Sequence, residues 1–280
     1  MVGSICYISW RKTAKASFLY HSLKTTTMHP LFLLLLSATF IFSACDPDSE
    51  EGRGNLDLTF KATYQDAPLV MFDQVYNYPD GSPLKFQLFN YYVSDITLIK
   101  EGSTEGQLVS EVELINYEDF YDVATAEQGV KLSFTDLEPG VYTGIKIGLG
   151  LTGELNATQP GDYAAGHPLS QNFWSWARGY VFAKVEARAD LDGDGQFSDP
   201  LTYHIGKDEL FTTLTMNKPL IIQKDNPASM TFTVDLYDVL SRDGNYLDIS
   251  IPENKQDHTN NIAIYGWLWE NLSNVFEINN

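Results

Sequence analysis

Cysteine is scarce in this chain of 280 residues: Cys6 and Cys45 are the only two, and both lie in the first 45 residues. Neither a disulfide framework nor a cysteine metal cluster can therefore hold the body of the protein together. A metal bound there must use histidine, carboxylate or carbonyl oxygen. Histidine is rare too, since only His167, His204 and His258 follow Cys45.

Basic residues are also few, with 18 Lys and Arg against 37 Asp and Glu and a net charge of −19. Four basic residues precede Cys45 and every acidic residue follows it, so the chain after Cys45 carries −23. Such a negative field repels polyanions, which excludes nucleic acid as a partner. The 44% hydrophobic and 13% aromatic content excludes a wholly disordered chain.

Catalytic motifs are missing as well. The chain has no Gly-rich phosphate loop, no G-x-S-x-G nucleophile elbow and no H-E-x-x-H sequence. Its Asp and Glu residues are too numerous to single out a general acid and base. We therefore expect a binding protein rather than an enzyme.

The N-terminal segment predicts export and lipid attachment. Residues 30–44 form an apolar run of about 15 residues, shorter than the roughly 20 of a membrane-spanning helix and typical of a signal-peptide core. The ending Phe42-Ser43-Ala44-Cys45 resembles a bacterial lipobox, in which the cysteine carries the lipid. We interpret residues 28–44 as a lipoprotein signal peptide and Cys45 as the site of lipid attachment.

The flanking segments complete this interpretation. Residues 1–27 are an upstream extension, either a long positive region or the product of a start codon assigned too early, with Met28 the true initiator. Residues 45–54 are acidic after the lipidated Cys45 and predict a solvated tether. We expect a cell-envelope protein anchored to the outer membrane, facing the periplasm or the exterior.

Residues 55–280 predict one all-β domain. Short alternating segments rich in β-branched and aromatic residues recur, separated by turn signals such as Glu138-Pro139-Gly140. They favour an antiparallel β-sandwich of the immunoglobulin-like or Greek-key type. Residues 260–278 have helical spacing and predict a short C-terminal helix. The predicted strands are 56–64, 85–100, 107–116, 130–137, 141–150, 180–190 and 229–237.

One acidic loop has the spacing of a calcium site. Oxygen-bearing side chains alternate from Asp190 onward, and Gly195 stands at the sixth position, where a tight turn is needed. The twelfth position holds Leu201 instead of the expected glutamate, and Asp199 is the candidate substitute. A solvent-exposed acidic turn is the simpler alternative. The predicted calcium ligands are Asp190, Asp192, Asp194, Gln196 and Asp199.

A second group of motifs carries a family resemblance. The sequence W-x-W-x-x-G-Y begins at Trp174, a strand ending in Lys-Val-Glu follows at residues 184–186, and Tyr203-His204-Ile205-Gly206 comes next. This combination, with the Tyr91–Leu98 strand and the Glu138–Tyr142 turn, resembles the MbnP-like copper-binding domain family over most of residues 55–280. The resemblance implies a secreted or lipid-anchored β-sandwich that binds copper outside the cytoplasm.

The resemblance also implies site residues. Characterised relatives hold the metal with histidines and a tryptophan oxidised to kynurenine, which places Trp174 at the tryptophan position and His204 at a histidine position. The relatives' second histidine position falls on Trp176. Imidazole suits copper, and we predict His204 with His167 or His258 as ligands near Trp174. Core packing is the alternative role for the tryptophans.

A different class of function stays open. The chain could be a surface-exposed module that binds glycan or protein and uses calcium alone. Its aromatic platform would be Tyr76-Asn77-Tyr78 together with Asn90-Tyr91-Tyr92, because exposed aromatic side chains stack on sugars and anchor interfaces.

Overall fold

The computed structural model describes residues 52–103, 106–175 and 179–279. Strands dominate this part of the chain. Their bounds are β1 (Gly54–Tyr64), β2 (Ala67–Pro68), β3 (Tyr76–Asn77), β4 (Pro83–Lys100), β5 (Gly106–Asn116), β6 (Val130–Leu137), β7 (Gly140–Leu149), β8 (Phe173–Trp174), β9 (Gly179–Tyr180), β10 (Ala183–Ala189), β11 (Asp199–Ile205), β12 (Thr212–Met216), β13 (Leu220–Ile222), β14 (Ala228–Asp235), β15 (Ser241–Arg242), β16 (Asn245–Tyr246), β17 (Gln256–Asp257) and β18 (Phe276–Asn279).

The described helices are short. They are α1 (Val123–Gln128), α2 (Gly153–Asn156), α3 (Leu236–Leu240), α4 (Pro252–Lys255) and α5 (Ile262–Asn274). α5 begins where the side chain of Asn261 accepts a hydrogen bond from the Ala263 N–H, which satisfies one of the free amides of the first turn. No helix in the described ranges is long and apolar enough to span a membrane.

The smaller of the two main sheets is built around β1. β1 runs parallel to β14 and antiparallel to β2 and β6, and β18 pairs with the far side of β14. Residues of β1 alternate in burial, the period of a strand with one face in a core. On that face Leu56, Leu58 and Phe60 are fully buried, and the Phe60 ring stacks on Phe232 at 4.8 Å.

The larger sheet is organised by the long strand β4. Its first half pairs with β10, its second half with β7, and β5 pairs with it from Asn90 to Ile99. The sheet continues from β10 through β11 to the short parallel strand β17, and β12 and β13 pair with β7. This order matters for the site because β10, β11 and β17 lie side by side.

Tyrosine fills much of the core between the sheets. Tyr91 and Tyr117 are fully buried, and their hydroxyl oxygens lie 3.1 Å apart in a hydrogen bond. Burial raises the pKa of both phenols, so both stay neutral donors and acceptors. The hydroxyls of Tyr64, Tyr78 and Tyr203 reach backbone carbonyls at the edge of the core. Each ring thus buries its apolar part while its hydroxyl stays hydrogen-bonded.

The all-β sandwich and the C-terminal helix are confirmed, with three differences. Two strand pairs, β1 with β14 and β11 with β17, run parallel. The predicted helix ends at Asn274, four residues before its predicted end, and the edge strand β18 follows it and pairs antiparallel with β14. β1 begins at Gly54, one residue before the predicted start of the domain. Cys45 and the interpretations of residues 1–27, 28–44 and 45–51 lie outside the described residues.

Candidate metal centre

The outer face of the larger sheet presents the first candidate ligand. In β11 Tyr203 and Ile205 point into the core, so the intervening His204 points outward. The same alternation in β10 brings Lys184 and Glu186 onto that outer face. His204 lies directly opposite Lys184 in the ladder, which leaves Glu186 diagonally adjacent to it. A histidine and a carboxylate therefore meet on the outer surface of the sheet.

His258 reaches His204 through β17. That strand pairs in parallel with β11, with Gln256 opposite Thr202 and Asp257 opposite Tyr203, and the next step of this register brings His258 beside His204. Asp257 is 4% exposed, and its carboxylate accepts hydrogen bonds from the backbone N–H groups of residues 259, 260 and 261. This carboxylate holds the loop that follows His258 in a tight turn.

A second clamp ties the same loop to β11. Thr259 has a positive φ of 60°, and its side-chain hydroxyl donates to the carbonyl of His204 at 2.9 Å while accepting from the Gly206 N–H at 3.1 Å. Because Thr259 bonds the backbone on both sides of Ile205, the segments carrying His204 and His258 are fixed relative to each other.

Trp174 is delivered by a short hairpin of β8 and β9. Phe173 pairs with Tyr180 and Trp174 with Gly179. The hairpin is anchored where the Tyr180 N–H donates to the side-chain oxygen of Asn156 at 2.7 Å, and where the Tyr180 hydroxyl donates to a buried backbone carbonyl. Trp176 lies outside the described residues.

The three rings meet. The ring centroids of His204 and His258 are 4.8 Å apart in an edge-on arrangement, and the Trp174 ring lies 6.1 Å from His204 and 6.2 Å from His258. We refer to His204, His258 and Trp174 as the histidine site. All three side chains are half-buried, so the site is shielded by the protein and still open to solvent on one side.

Glu186 orients the His204 ring. Its carboxylate oxygen lies 2.7 Å from Nε2 of His204. Because a carboxylate only accepts, Nε2 of the neutral ring carries the proton and Nδ1 keeps its lone pair. A carboxylate that bonds the second nitrogen in this way is a usual support for a metal-binding histidine. The hydrogen bond with His204, helped by the nearby Lys184, lowers the pKa of Glu186 and keeps it ionised.

The electrostatics of the second histidine favour its neutral form. Burial lowers the pKa of His258, and the neighbouring His204 lowers it further, against a weaker opposing pull from Asp257 and Glu186. Neutral imidazole is the form that binds metal. Burial also lowers the pKa of Lys184, which shares this face of β10 with Glu186.

The histidine site opens into a cavity of about 320 Å³. Its lining residues include Trp174, Gly206 and His258, together with Asn156 and Asp208, whose side chains are joined by a hydrogen bond of 2.6 Å from the Asn156 amide to the Asp208 carboxylate. Gly206 is required by close packing, because a Cβ at this position would lie 2.2 Å from the carbonyl oxygen of Tyr180. The glycine of the Tyr203–Gly206 motif thus lets β11 approach the hairpin that carries Trp174.

His167, the third predicted copper ligand, is engaged elsewhere. Its Nδ1 accepts a hydrogen bond from the Leu169 N–H at 3.1 Å and caps the short 3₁₀ helix of residues 168–170. Its ring stacks on Tyr163 at 4.2 Å, nearly parallel. Of the two histidines predicted as alternative partners of His204, the structure brings His258 into ring contact with it.

The acidic loop of residues 190–199 brings three of its predicted ligands together. Asp190, Asp192 and Asp194 each offer an oxygen, and these oxygens lie within 4.8 Å of one another. Asp190 is 7% exposed, and the loop takes the expected tight turn at Gly195, where φ is 85°.

Two predicted calcium ligands are placed differently. Asp199 begins β11, and its carboxylate pairs with Lys255 at 2.8 Å instead of joining the other three. Gln196 is exposed, and its backbone N–H donates to the Asp194 side chain at 2.7 Å. In the described part of the chain, the three carboxylates at positions 190, 192 and 194 are therefore the ones that converge.

The aromatic platform proposed for glycan or protein binding is wrong. Tyr76 is 8% exposed, Tyr78 is 1% exposed, and Tyr91 and Tyr92 are fully buried. β4 is covered on both faces at this point, so neighbouring tyrosines that point to opposite sides are buried alike. These residues are core.

This chain matches a known protein family. The family model described as MbnP matches residues 53–262. The chain belongs to the MbnP family. Among solved structures, MbnP from Methylosinus trichosporium matches with 13% sequence identity and a TM-score of 0.44, covering 68% of this chain and 78% of that chain. No curated protein gives a significant match.

The matched MbnP region contains the whole histidine site and its supports. Two of these supports, Glu186 and Asp257, were not predicted as site residues. Glu186 stood in the Lys-Val-Glu segment, and Asp257 directly precedes His258, but their roles depend on strands that pair across long stretches of sequence. A polar residue beside a candidate ligand was the available signal.

Proposed function

We propose that this MbnP family member is a lipid-anchored cell-envelope protein that captures or handles copper at the histidine site. The observation that carries the proposal is the meeting of His204, His258 and Trp174, delivered by three segments far apart in the sequence. Imidazole nitrogen is a good copper ligand. A role in binding, without catalysis, fits the absence of a catalytic motif from the sequence.

The residues present fit copper. His204 offers Nδ1 while Glu186 holds Nε2, and burial lowers the pKa of His258, which favours its neutral form. Trp174 lies at the position where the family resemblance implies an oxidised tryptophan, whose new polar groups would face both imidazoles. The cavity beside His258 gives the metal a route to and from solvent.

Copper analysis of the purified protein tests this proposal. After copper loading and desalting, the wild type should retain one copper per chain, and His204→Ala and His258→Ala should each lose it. His167→Ala is the matched control, because it removes an imidazole outside the histidine site and should retain the metal. Retention by His204→Ala, or no copper on the wild type, would refute the proposed site.

Intact and peptide mass spectrometry tests the tryptophan. A mass gain on the Trp174 peptide consistent with kynurenine, absent from Trp174→Phe, would support a modified site. An unmodified Trp174 in a protein that still retains copper would restrict the ligands to the histidines.

Calcium at the acidic loop is the second part of the proposal. The three converging carboxylates of Asp190, Asp192 and Asp194 support it, together with the turn at Gly195. The ion would be structural, since the loop joins β10 to β11 and β11 carries His204. Metal analysis of the same samples measures calcium beside copper.

The cellular location is tested separately. Lipid attachment at Cys45 predicts that the wild type fractionates with membranes and takes up a labelled fatty acid, and that Cys45→Ser does neither. Protease treatment of intact cells distinguishes an outward-facing protein from a periplasmic one.

A further inference from the structure

The most unusual backbone position outside the histidine site belongs to an exposed aromatic residue. Phe72 has a φ of 64°, in the left-handed region that a bulky side chain rarely enters. The Asp73 N–H donates to the Met71 carbonyl at 2.8 Å, so Phe72 is the central residue of a three-residue γ-turn. Turns of this kind with a positive φ are rare and strained.

The surrounding structure holds this turn in place. The Phe72 N–H donates to the Phe86 carbonyl and the Met71 N–H to the Phe120 carbonyl, both at 2.7 Å. These bonds fix the turn against β4 and against the loop before α1. The position is thus strained and fixed on both sides, the condition in which strain persists at functional sites.

The strained turn displays an aromatic ring beside another. Phe72 is 39% exposed and Tyr121 is 52% exposed, and their ring centroids are 5.8 Å apart at an angle of 39°. Val75 and Val123, close to them in the chain, are also about half exposed. The Tyr121 hydroxyl donates to Asp119 at 3.0 Å, which fixes its ring. We call Phe72 and Tyr121 the Phe72–Tyr121 surface.

The side chains around the Phe72–Tyr121 surface limit the class of ligand that it can bind. Residues 73–74 and 118–122 contribute exposed carboxylates and an amide and no basic side chain. This rim repels anionic lipid, nucleic acid and acidic glycans. Two partly exposed rings also cover only a small part of the roughly 800 Å² that each partner of a stable protein complex buries. A small uncharged ligand with an apolar face and many hydroxyls fits best.

We propose that the Phe72–Tyr121 surface is a binding site for a neutral carbohydrate. The C–H face of a pyranose ring would stack on the two aromatic rings, and its hydroxyls would donate to the carboxylates of Asp73 and Asp119. This site is independent of copper and differs from the buried tyrosines of β3 and β4. Strain at Phe72 is then retained because it presents the ring to the ligand.

Binding to an array of neutral gluco-, manno-, galacto- and xylo-oligosaccharides tests the proposal with the full chain. We expect binding of at least one of these probes, and a loss of affinity of tenfold or more in Phe72→Gly and Tyr121→Ala. Tyr246→Ala is the matched control, because Tyr246 is 41% exposed and its ring packs edge-on against Tyr78 elsewhere. It should bind as the wild type does.

Thermal melting separates a binding role from a packing role. Glycine accepts a positive φ without strain, so Phe72→Gly should melt higher than Phe72→Ala, which loses the same ring and keeps the strained φ. The proposal is overturned if no neutral oligosaccharide binds, if binding survives both substitutions, or if Phe72→Gly melts no higher than Phe72→Ala. Binding of anionic vesicles or of peptides at this surface in place of sugar would also overturn it.

Discussion

The histidine site and the acidic loop are both candidate metal centres, and they are built in opposite ways. The acidic loop takes its three carboxylates from five consecutive residues. Two of these carboxylates are exposed, and the three bond mainly to backbone N–H groups of the same loop. The histidine site takes its rings from β8, from β11 and from the loop after β17, and a buried aspartate and a threonine clamp them together. A local motif can be found in the sequence, whereas a site assembled from distant segments depends on the fold.

The largest effect is expected from substitution of Asp257, which supports the histidine site and not the acidic loop. In Asp257→Ala three backbone N–H groups lose a charged acceptor, and we expect a loss of about 3 kcal/mol of unfolding free energy together with loss of copper retention. Chemical denaturation measures the stability. Asp257→Asn keeps one acceptor oxygen and should lose less stability. If Asp257→Ala is as stable as the wild type, the clamp is contradicted.

The acidic loop should respond to calcium and the histidine site should not. A structural ion at 100 times its dissociation constant stabilises the fold by about 2.7 kcal/mol, so calcium should raise the melting temperature of the wild type. Asp192→Asn should lose this response, and Asp225→Asn, which removes an exposed carboxylate elsewhere, should keep it. An unchanged melting temperature on adding calcium would leave the loop as an acidic turn.

Close packing at Gly206 should matter to the histidine site. In Gly206→Ala the new Cβ would meet the Tyr180 carbonyl oxygen, and the shift needed to relieve this overlap should cost about 2 kcal/mol and weaken copper binding. Gly161→Ala is the control, because a Cβ there has no neighbour within 4 Å and should change stability by no more than about 0.5 kcal/mol. Equal melting of the two variants would argue against the close approach.

The smallest effect is a dependence on pH that only the histidine site should show. The pKa of His258 is lowered in the folded, metal-free protein, so below the ordinary histidine value of 6.5 the unfolded chain binds more protons. Stability is full above that value, decreases as pH falls through it and stops decreasing below the lowered pKa. Melting curves of metal-free wild type and His258→Gln should therefore converge as the pH falls.

Much of the fold could be predicted from the sequence because the strands alternate with a period of two. β6 has the predicted bounds, Val130–Leu137, and β4 and β5 differ from theirs by two residues or fewer. The C-terminal edge strand could not be predicted, because its four residues continue a helical spacing and only pairing with β14 makes them extended. The parallel strand β17 is two residues long and has no pattern of its own.

The residue types of the histidine site could be predicted from the sequence, whereas the residues that meet there could be predicted only in part. His204 and Trp174 stood in motifs, whereas the choice between His167 and His258 depended on pairing of β11 with β17, some 50 residues apart. Tyr91 and Tyr92 show the opposite problem, since consecutive aromatics in a strand buried on both faces resemble an exposed platform. Phe72 and Tyr121 lie in loops without periodicity, so their exposure had no signal in the sequence.

X-ray absorption spectroscopy of the copper-loaded protein can identify the ligands at the histidine site, because imidazole ligands have a distinct scattering signature. We expect two imidazole ligands in the wild type and in His167→Ala, and one in any copper that His258→Ala retains. Copper without imidazole scattering, or a ligand count that falls in His167→Ala and not in His258→Ala, would contradict it.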